Sequence, residues 1–236
     1  MNKFIELRTK FVEKFLPSLS GIPALFIRLY LAPVFIIAGY SKSQFSDPSI
    51  SGISSIFANE NTVAWFGNTE WGLGLPMPEL LANLAVWAEL FGGFFLIIGL
   101  FTRLVSIPLM FTMFVAATSV HATNGWFAIT PTNPDTSPAL VLSWFNIPGA
   151  EVSLRNSEST GQKLEMMRTI LDENGNTNWL YENGSIVVLN NGVEFAVTYF
   201  ILLLALFFIG AGRYTSIDSY LLSRYERIHA QASKID

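Results

Sequence analysis

Four apolar stretches, each about long enough to cross a membrane, set the strongest limit on how this chain can fold. They cover residues 22–40, 80–100, 104–122 and 193–211. About 20 helical residues cross the roughly 30 Å hydrocarbon core of a bilayer. Only 14% of the residues are charged, against roughly 25% in a soluble domain. The pattern predicts an all-α integral membrane fold, a bundle of four transmembrane helices.

The segments between these stretches complete the predicted organisation. Only residues 101–103 separate the second and third stretches, which predicts a tight antiparallel hairpin. Within residues 123–191, apolar side chains recur at helical spacing from Leu164 to Leu171, and two short apolar runs flank Asn183 and Gly184. We therefore predict one membrane domain over residues 1–236, with a small extracytoplasmic insertion at 123–191 made of a short helix plus a β-hairpin.

The distribution of lysine and arginine predicts the orientation, since these residues accumulate in cytoplasmic segments. They cluster before the first stretch and after the last: Lys3, Arg8, Lys10, Lys14, Arg213, Arg224, Arg227 and Lys234. Residues 123–191 hold fewer bases than acids. We expect a multi-pass protein of the bacterial inner (plasma) membrane with its N- and C-termini in the cytoplasm.

Amphipathic segments flank the bundle on the same predicted side. Phe4, Leu7, Phe11 and Phe15 form one stripe among the basic residues of the N-terminus. The apolar residues from Ile217 to Ile228 are spaced in the same way near the C-terminus. Both patterns are typical of helices that lie in the membrane interface.

Composition excludes several classes of function. The chain has no cysteine, so disulfides, cysteine-ligated metals and thiol redox relays are excluded. A net charge of -4 provides no basic surface for nucleic acid. With only two histidines, we predict no metal site.

Ionisable residues inside or beside the stretches are the candidates for chemistry, because a charge inside a bilayer is costly unless it is paired or hydrated. Glu89 lies near the middle of the second stretch, and a face of small residues there predicts close helix packing around an inward carboxylate. Lys42, His121 and Glu194 are expected to converge at the outer helix ends. That arrangement predicts a polar vestibule in which a carboxylate and an imidazole relay protons to a bound ligand. Arg28 is the remaining charge inside a stretch.

Structural alternatives exist for each of these residues. Glu89 could form an ion pair that locks the bundle, for instance with Arg28. Arg28 could instead extend its side chain to the cytoplasmic headgroups. Residues at helix ends such as Lys42, His121 and Glu194 are often simply hydrated.

Several of these residues stand in short motifs that resemble the DoxX family. The motifs are Arg28-Leu29, Ala38-Gly39 with Lys42, Ala88-Glu89 with Gly92-Gly93, Gly99-Leu100, Thr102-Arg103, and Gly210 through Asp218. The resemblance implies a bundle of four membrane helices. Relatives in that family include the membrane subunit of a thiosulfate:quinone oxidoreductase, which implies a quinone-linked redox role with quinone as the cofactor.

On that interpretation the quinone head group lies between helices near Glu89. His121 and Glu194 handle protons, and Arg28 and Lys42 orient the polar oxygens. The lipid bilayer is the surrounding partner, and a donor protein or further copies of the chain would complete the assembly. A proton-coupled small-solute transporter and a non-catalytic membrane scaffold remain as alternative functions.

Overall fold

A computed structural model describes residues 5–6, 8–9, 11–15 and 19–232. Phe4 and Leu7 of the N-terminal stripe lie outside the described residues, as do the basic residues Lys3, Lys10 and Lys234. The chain divides into two compact units, the first made of Met1–Val115 with Val197–Asp236 and the second of Ala116–Ala196.

Nine α-helices account for most of the described residues. They are α1 (Gly21–Lys42), α2 (Glu60–Gly67), α3 (Pro78–Ile98), α4 (Thr102–Val115), α5 (Ala139–Trp144), α6 (Ala150–Asn174), α7 (Thr177–Leu180), α8 (Glu194–Ile209) and α9 (Ile217–Ala232). A π-helical turn, Ala116–Val120, follows α4. No β-strand occurs among the described residues, so the predicted all-α character is confirmed for that part of the chain.

Three helices are long and apolar enough to cross a membrane: Gly21–Lys42, Pro78–Ile98 and Thr102–Val120. Their ends differ from the predicted stretches by at most two residues. The fourth apolar helix, α8, has 16 residues and is therefore about 24 Å long, less than the usual hydrocarbon thickness. The fourth span therefore stays a prediction.

The first unit has an apolar core formed between α1, α3, α4 and α8. The core side chains include Leu31, Phe35, Leu96, Leu109, Leu203 and Leu206, all fully buried. Tyr30 of α1 and Tyr199 of α8 meet edge to face, with ring centroids 6.2 Å apart. Large apolar residues on the outer faces of these helices stay exposed, as expected where lipid would cover them.

The tight turn predicted between the second and third stretches is present. Helix α3 ends at Ile98 and α4 begins at Thr102. Gly99 follows α3 with φ of +62°, a conformation that glycine adopts without a steric penalty. The Leu100 N–H then donates to the Phe95 carbonyl at 3.0 Å, which closes the end of the helix.

The second unit differs from its predicted form. Its main helix, α6, has 25 residues rather than being short. The predicted β-hairpin around Asn183 and Gly184 is absent. The Asn176 side chain accepts a bond from the Trp179 N–H and starts the helical turn α7, which removes that segment from any strand.

The second half of the expected hairpin pairs with a distant segment instead. Thr130 N–H donates to the Val188 carbonyl at 3.0 Å, and Asn190 N–H donates to the Ala128 carbonyl at 2.9 Å. An isolated bridge joins Ile129 to Leu189. The prediction was wrong because the local turn signal could not reveal a partner some sixty residues away, as the Thr130–Val188 contact shows.

Candidate functional site

An ion pair between the first two spans is the principal polar feature of the first unit. Lys42 is the last residue of α1, and Glu89 lies within α3. Lys42 Nζ lies 2.7 Å from Glu89 Oε1 and 2.6 Å from Oε2, so the ammonium group donates to both carboxylate oxygens. Such charge-assisted bonds are stronger than those between neutral groups.

The two partners differ sharply in exposure. The Glu89 side chain is 2% exposed, whereas that of Lys42 is 37% exposed. An ionised carboxylate at that depth has no access to solvent, so Lys42 supplies its main stabilisation. The pair is therefore closed on the glutamate side and open on the lysine side.

Close packing of α1 on α3 explains why the site opens only at Lys42. A Cβ atom added at Gly39 would lie 2.6 Å from the Leu90 backbone nitrogen, and one added at Gly93 would lie 2.6 Å from an Ile36 side-chain carbon. The two helices touch through these glycines, as the small-residue face predicted. The helices are therefore in close contact beside Glu89, and the exposed part of the ion pair is Lys42.

The loop after α1 fixes the position of Lys42. The Lys42 carbonyl accepts bonds from the Asn59 N–H at 2.9 Å and from the Thr62 hydroxyl at 3.1 Å. Asn59 also caps α2 by accepting from the Thr62 N–H. These bonds hold the backbone of Lys42 in place, so its side chain extends from a fixed position although it stands at the end of α1.

Arg28 lies elsewhere and is fully buried, with 0% exposure. Its five N–H groups face five backbone carbonyls. Nε donates to Leu96 at 2.8 Å, Nη1 donates to Ala211 at 2.6 Å and to Tyr214 at 3.5 Å, and Nη2 donates to Ile97 and Thr215, each at 2.9 Å. Arg28 thus donates to carbonyls at the end of α3 and in the irregular segment after α8, where helix ends leave carbonyls with lone pairs to satisfy.

Two structural expectations for Arg28 are corrected by this arrangement. Its contacts are these carbonyls, and Lys42 is the ion-pair partner of Glu89. The Arg28 guanidinium is also not exposed at the end of its side chain, as it would be among hydrated headgroups, because the α3–α4 turn encloses it. A Cβ atom at Gly99 would come within 2.7 Å of the guanidinium carbon. A ligand role for Arg28 stays a prediction, and it would require a backbone bond to be given up.

Asp218, the last residue of the Gly210–Asp218 motif, completes this buried region. Its carboxylate accepts bonds from the Phe101 N–H at 2.7 Å and the Thr102 N–H at 3.0 Å, and so caps α4 from a distance in sequence. Its own N–H donates to the Gly99 carbonyl at 3.0 Å. The motif from Gly210 to Asp218 carried this signal, although nothing local identified its partners.

The two remaining predicted site residues belong to the second unit. His121 Nδ1 lies 2.8 Å from the Asn191 carbonyl, and a carbonyl can only accept, so this bond requires the proton on Nδ1. Glu194 Oε2 accepts from the Ala128 N–H at 2.9 Å. Each side chain thus ties together the two ends of the insertion. Convergence of these residues with Lys42 stays a prediction.

A separate cavity of about 600 Å³ opens in the first unit, beside the loop that holds Lys42. Polar residues on its wall include Gln44, Glu60, Glu79 and Asn83. Lys42 and Glu89 are not among its lining residues. Across the described part of the chain, no group of three or more histidine and acidic residues is placed to hold a metal ion.

Comparison with known proteins adds one relationship. The model of the DoxX family matches residues 24–122, which include Arg28, Lys42, Glu89 and His121 and end before the Gly210–Asp218 motif. This match confirms the resemblance that the sequence motifs indicated. No curated protein and no solved structure matches the chain.

Proposed function

We propose that this membrane protein, whose residues 24–122 form a DoxX domain, is a quinone-linked redox membrane subunit of the bacterial inner membrane. In this role it spans the bilayer four times, with α8 as the fourth span and both termini in the cytoplasm. A partner protein supplies the electrons, since the chain has no cysteine with which to carry them. The chain contributes the quinone site and its protons.

The observation that carries this proposal is the half-open Lys42–Glu89 pair. An ammonium group has three N–H donors, and the carboxylate oxygens of Glu89 engage two of them. No other acceptor is recorded for Lys42 Nζ among the described residues, so its third N–H remains for a ligand on the exposed side. A quinone carbonyl oxygen is a neutral acceptor of the kind that such a donor binds.

The chemistry divides between the two residues. A bound quinone supplies the redox step, in which two electrons and two protons convert it to the quinol. Lys42 would hold one carbonyl oxygen and could supply one of the two protons, while the second proton would come from water on the exposed side. Glu89 keeps Lys42 protonated beforehand, and water at the exposed end of Lys42 restores the proton afterwards.

Stability alone gives only a weak reason for this pair. Replacing a buried ion pair by well-packed apolar residues is often neutral or stabilising, because desolvation offsets the attraction. Here the buried charge of Glu89 is stabilised by a lysine whose own side chain remains 37% exposed. That combination maintains a charged donor at a membrane depth where a quinone head group can reach it.

The test measures quinone binding to the full chain in lipid nanodiscs, using short-chain ubiquinone and menaquinone analogues. Wild type is compared with Lys42→Gln, which removes the charged donor. Glu79→Gln is the matched control, because it neutralises an exposed glutamate on the same helix, α3. Far-ultraviolet circular dichroism and thermal unfolding establish that each variant is folded.

We expect saturable binding that weakens by about tenfold or more in Lys42→Gln, as the loss of a hydrogen bond to a charged group predicts. Glu79→Gln should bind like wild type. Absence of saturable binding to wild type, or equal binding by folded Lys42→Gln, would refute the proposal. Transport or scaffolding would then become the leading function.

A further inference from the structure

Helix α9 is held against the inner end of the bundle at its first turn. Asp218, its second residue, bonds to the N–H groups of Phe101 and Thr102 and to the Gly99 carbonyl. The turn that contains these groups joins α3 to the helical segment Thr102–Val120, and both are long enough to span a membrane. Helix α9 therefore starts where two candidate spans end, at the level of lipid headgroups.

An apolar stripe runs along α9 and is exposed. Ile217, Leu221, Tyr225 and Ile228 recur at spacings of four, four and three residues, so they share one helical face. All four side chains are exposed. Ser219 and Ser223, on another side of the helix, are less exposed than the stripe. The apolar face is thus directed away from the bundle.

The charges on α9 are arranged around this stripe. Arg224 lies four residues before Ile228 and therefore on the same side, whereas Arg227 follows Ser223 by four residues and its Nε donates to the Ser223 carbonyl at 3.1 Å. Glu226 lies about 160° from Ile228 around the helix. Asp218 is engaged in the cap of α4. Positive charge therefore lies on the apolar side at Arg224 and beside it at Arg227, while Glu226 lies on the opposite side, which also exposes Leu222.

We propose that α9 binds an anionic lipid surface, with its apolar stripe inserted below the headgroups and Arg224 and Arg227 beside lipid phosphates. Two features select lipid as the occupant: the start of α9 at the end of two spans, and the match of arginine to anionic headgroups. This surface is independent of the proposed redox role. Helix α9 also contacts the α3–α4 turn, which encloses Arg28, so Asp218 attaches the proposed lipid-binding helix to the bundle.

The absence of cysteine makes a direct test simple, because a single introduced thiol is the only one in the protein. The full chain with Ile228→Cys or Glu226→Cys is labelled with a nitroxide and placed in nanodiscs of phosphatidylcholine with or without phosphatidylglycerol. Paramagnetic resonance then compares collisions of the label with oxygen, which concentrates in lipid, and with a water-soluble nickel chelate. Glu226→Cys is the matched control on the opposite side of the helix.

In discs with phosphatidylglycerol we expect the residue 228 label to be reached mainly by oxygen and the residue 226 label mainly by the chelate. In the double variant Arg224→Gln with Arg227→Gln, the equilibrium constant for insertion of α9 into anionic discs, measured from the residue 228 label, should fall about 30-fold. Access of the chelate to residue 228 in anionic discs would overturn the proposal. The proposal would also be overturned if the residue 228 label were shielded from the chelate equally in both kinds of disc and the arginine variants did not change this. Spin–spin broadening between labels would overturn it as well, because it would show a second copy of the chain on this surface.

Discussion

Unequal burial of Lys42 and Glu89 predicts that the two halves of their ion pair make unequal contributions to stability. Lys42→Met leaves a carboxylate that is 2% exposed without its cation. Glu89→Gln leaves a lysine that is already 37% exposed and can turn to water, while the glutamine oxygen still accepts its bond. The lysine substitution should therefore destabilise the protein more than the glutamate substitution.

The structure gives the expected magnitudes. Removing one partner of a fully buried pair costs about 3–5 kcal/mol, and partial exposure of this pair lowers the expected loss for Lys42→Met to about 2–3 kcal/mol. Glu89→Gln exchanges a charge-assisted bond for a neutral one and should cost about 1 kcal/mol. The double variant removes the isolated charge, so it should be more stable than Lys42→Met alone by about 1 kcal/mol.

The assay is reversible unfolding of the full chain in mixed micelles, with the four proteins of the double-mutant cycle measured side by side. Arg155→Met is the control, because the Arg155–Glu151 pair is 4.0 Å long with both side chains largely exposed. That substitution should change stability by less than about 0.5 kcal/mol. If Lys42→Met costs no more than Glu89→Gln, or if the two effects simply add, the burial argument is refuted.

Three further substitutions test the other contacts of the bundle. Arg28→Lys keeps the charge but provides three donors for five carbonyls, so it should lower the free energy of unfolding by about 3 kcal/mol in the same assay. Asp218→Ala removes the cap of α4 and should cost about 1–2 kcal/mol, with faster hydrogen exchange at Phe101 and Thr102. Gly39→Ala should cost about 1–3 kcal/mol, because the new Cβ meets α3 backbone at 2.6 Å; a thermal shift near zero would contradict this.

Three candidate spans were predictable because the signal for a membrane helix is local. Length and apolar composition are read within one stretch, and the observed helix ends differ from the predicted ones by at most two residues. The insertion was less predictable, because its backbone pairing joins residues near Ile129 to residues near Leu189. A turn dipeptide such as Asn183-Gly184 indicates a local reversal and cannot report so distant a partner.

Arg28 illustrates the same limit at a buried charge. Three of its five acceptors lie between Ala211 and Thr215, in irregular backbone whose path follows from packing after α8. A sequence shows side-chain charges but does not show where backbone carbonyls converge. The sequence therefore indicates side-chain or headgroup partners for Arg28, whereas backbone carbonyls at the end of α3 and after α8 accept from all five of its N–H groups.

The partner of Glu89, by contrast, follows from helix geometry that the sequence already contained. Side chains on a helix tilt toward its N-terminus. Helices α1 and α3 run antiparallel, since Arg28 near the start of α1 meets Leu96 near the end of α3. Lys42 therefore tilts from the end of α1 back toward the membrane centre, and Glu89 tilts toward the end where Lys42 lies. Arg28 tilts away from Glu89, so the direction of the side chains alone favours the lysine.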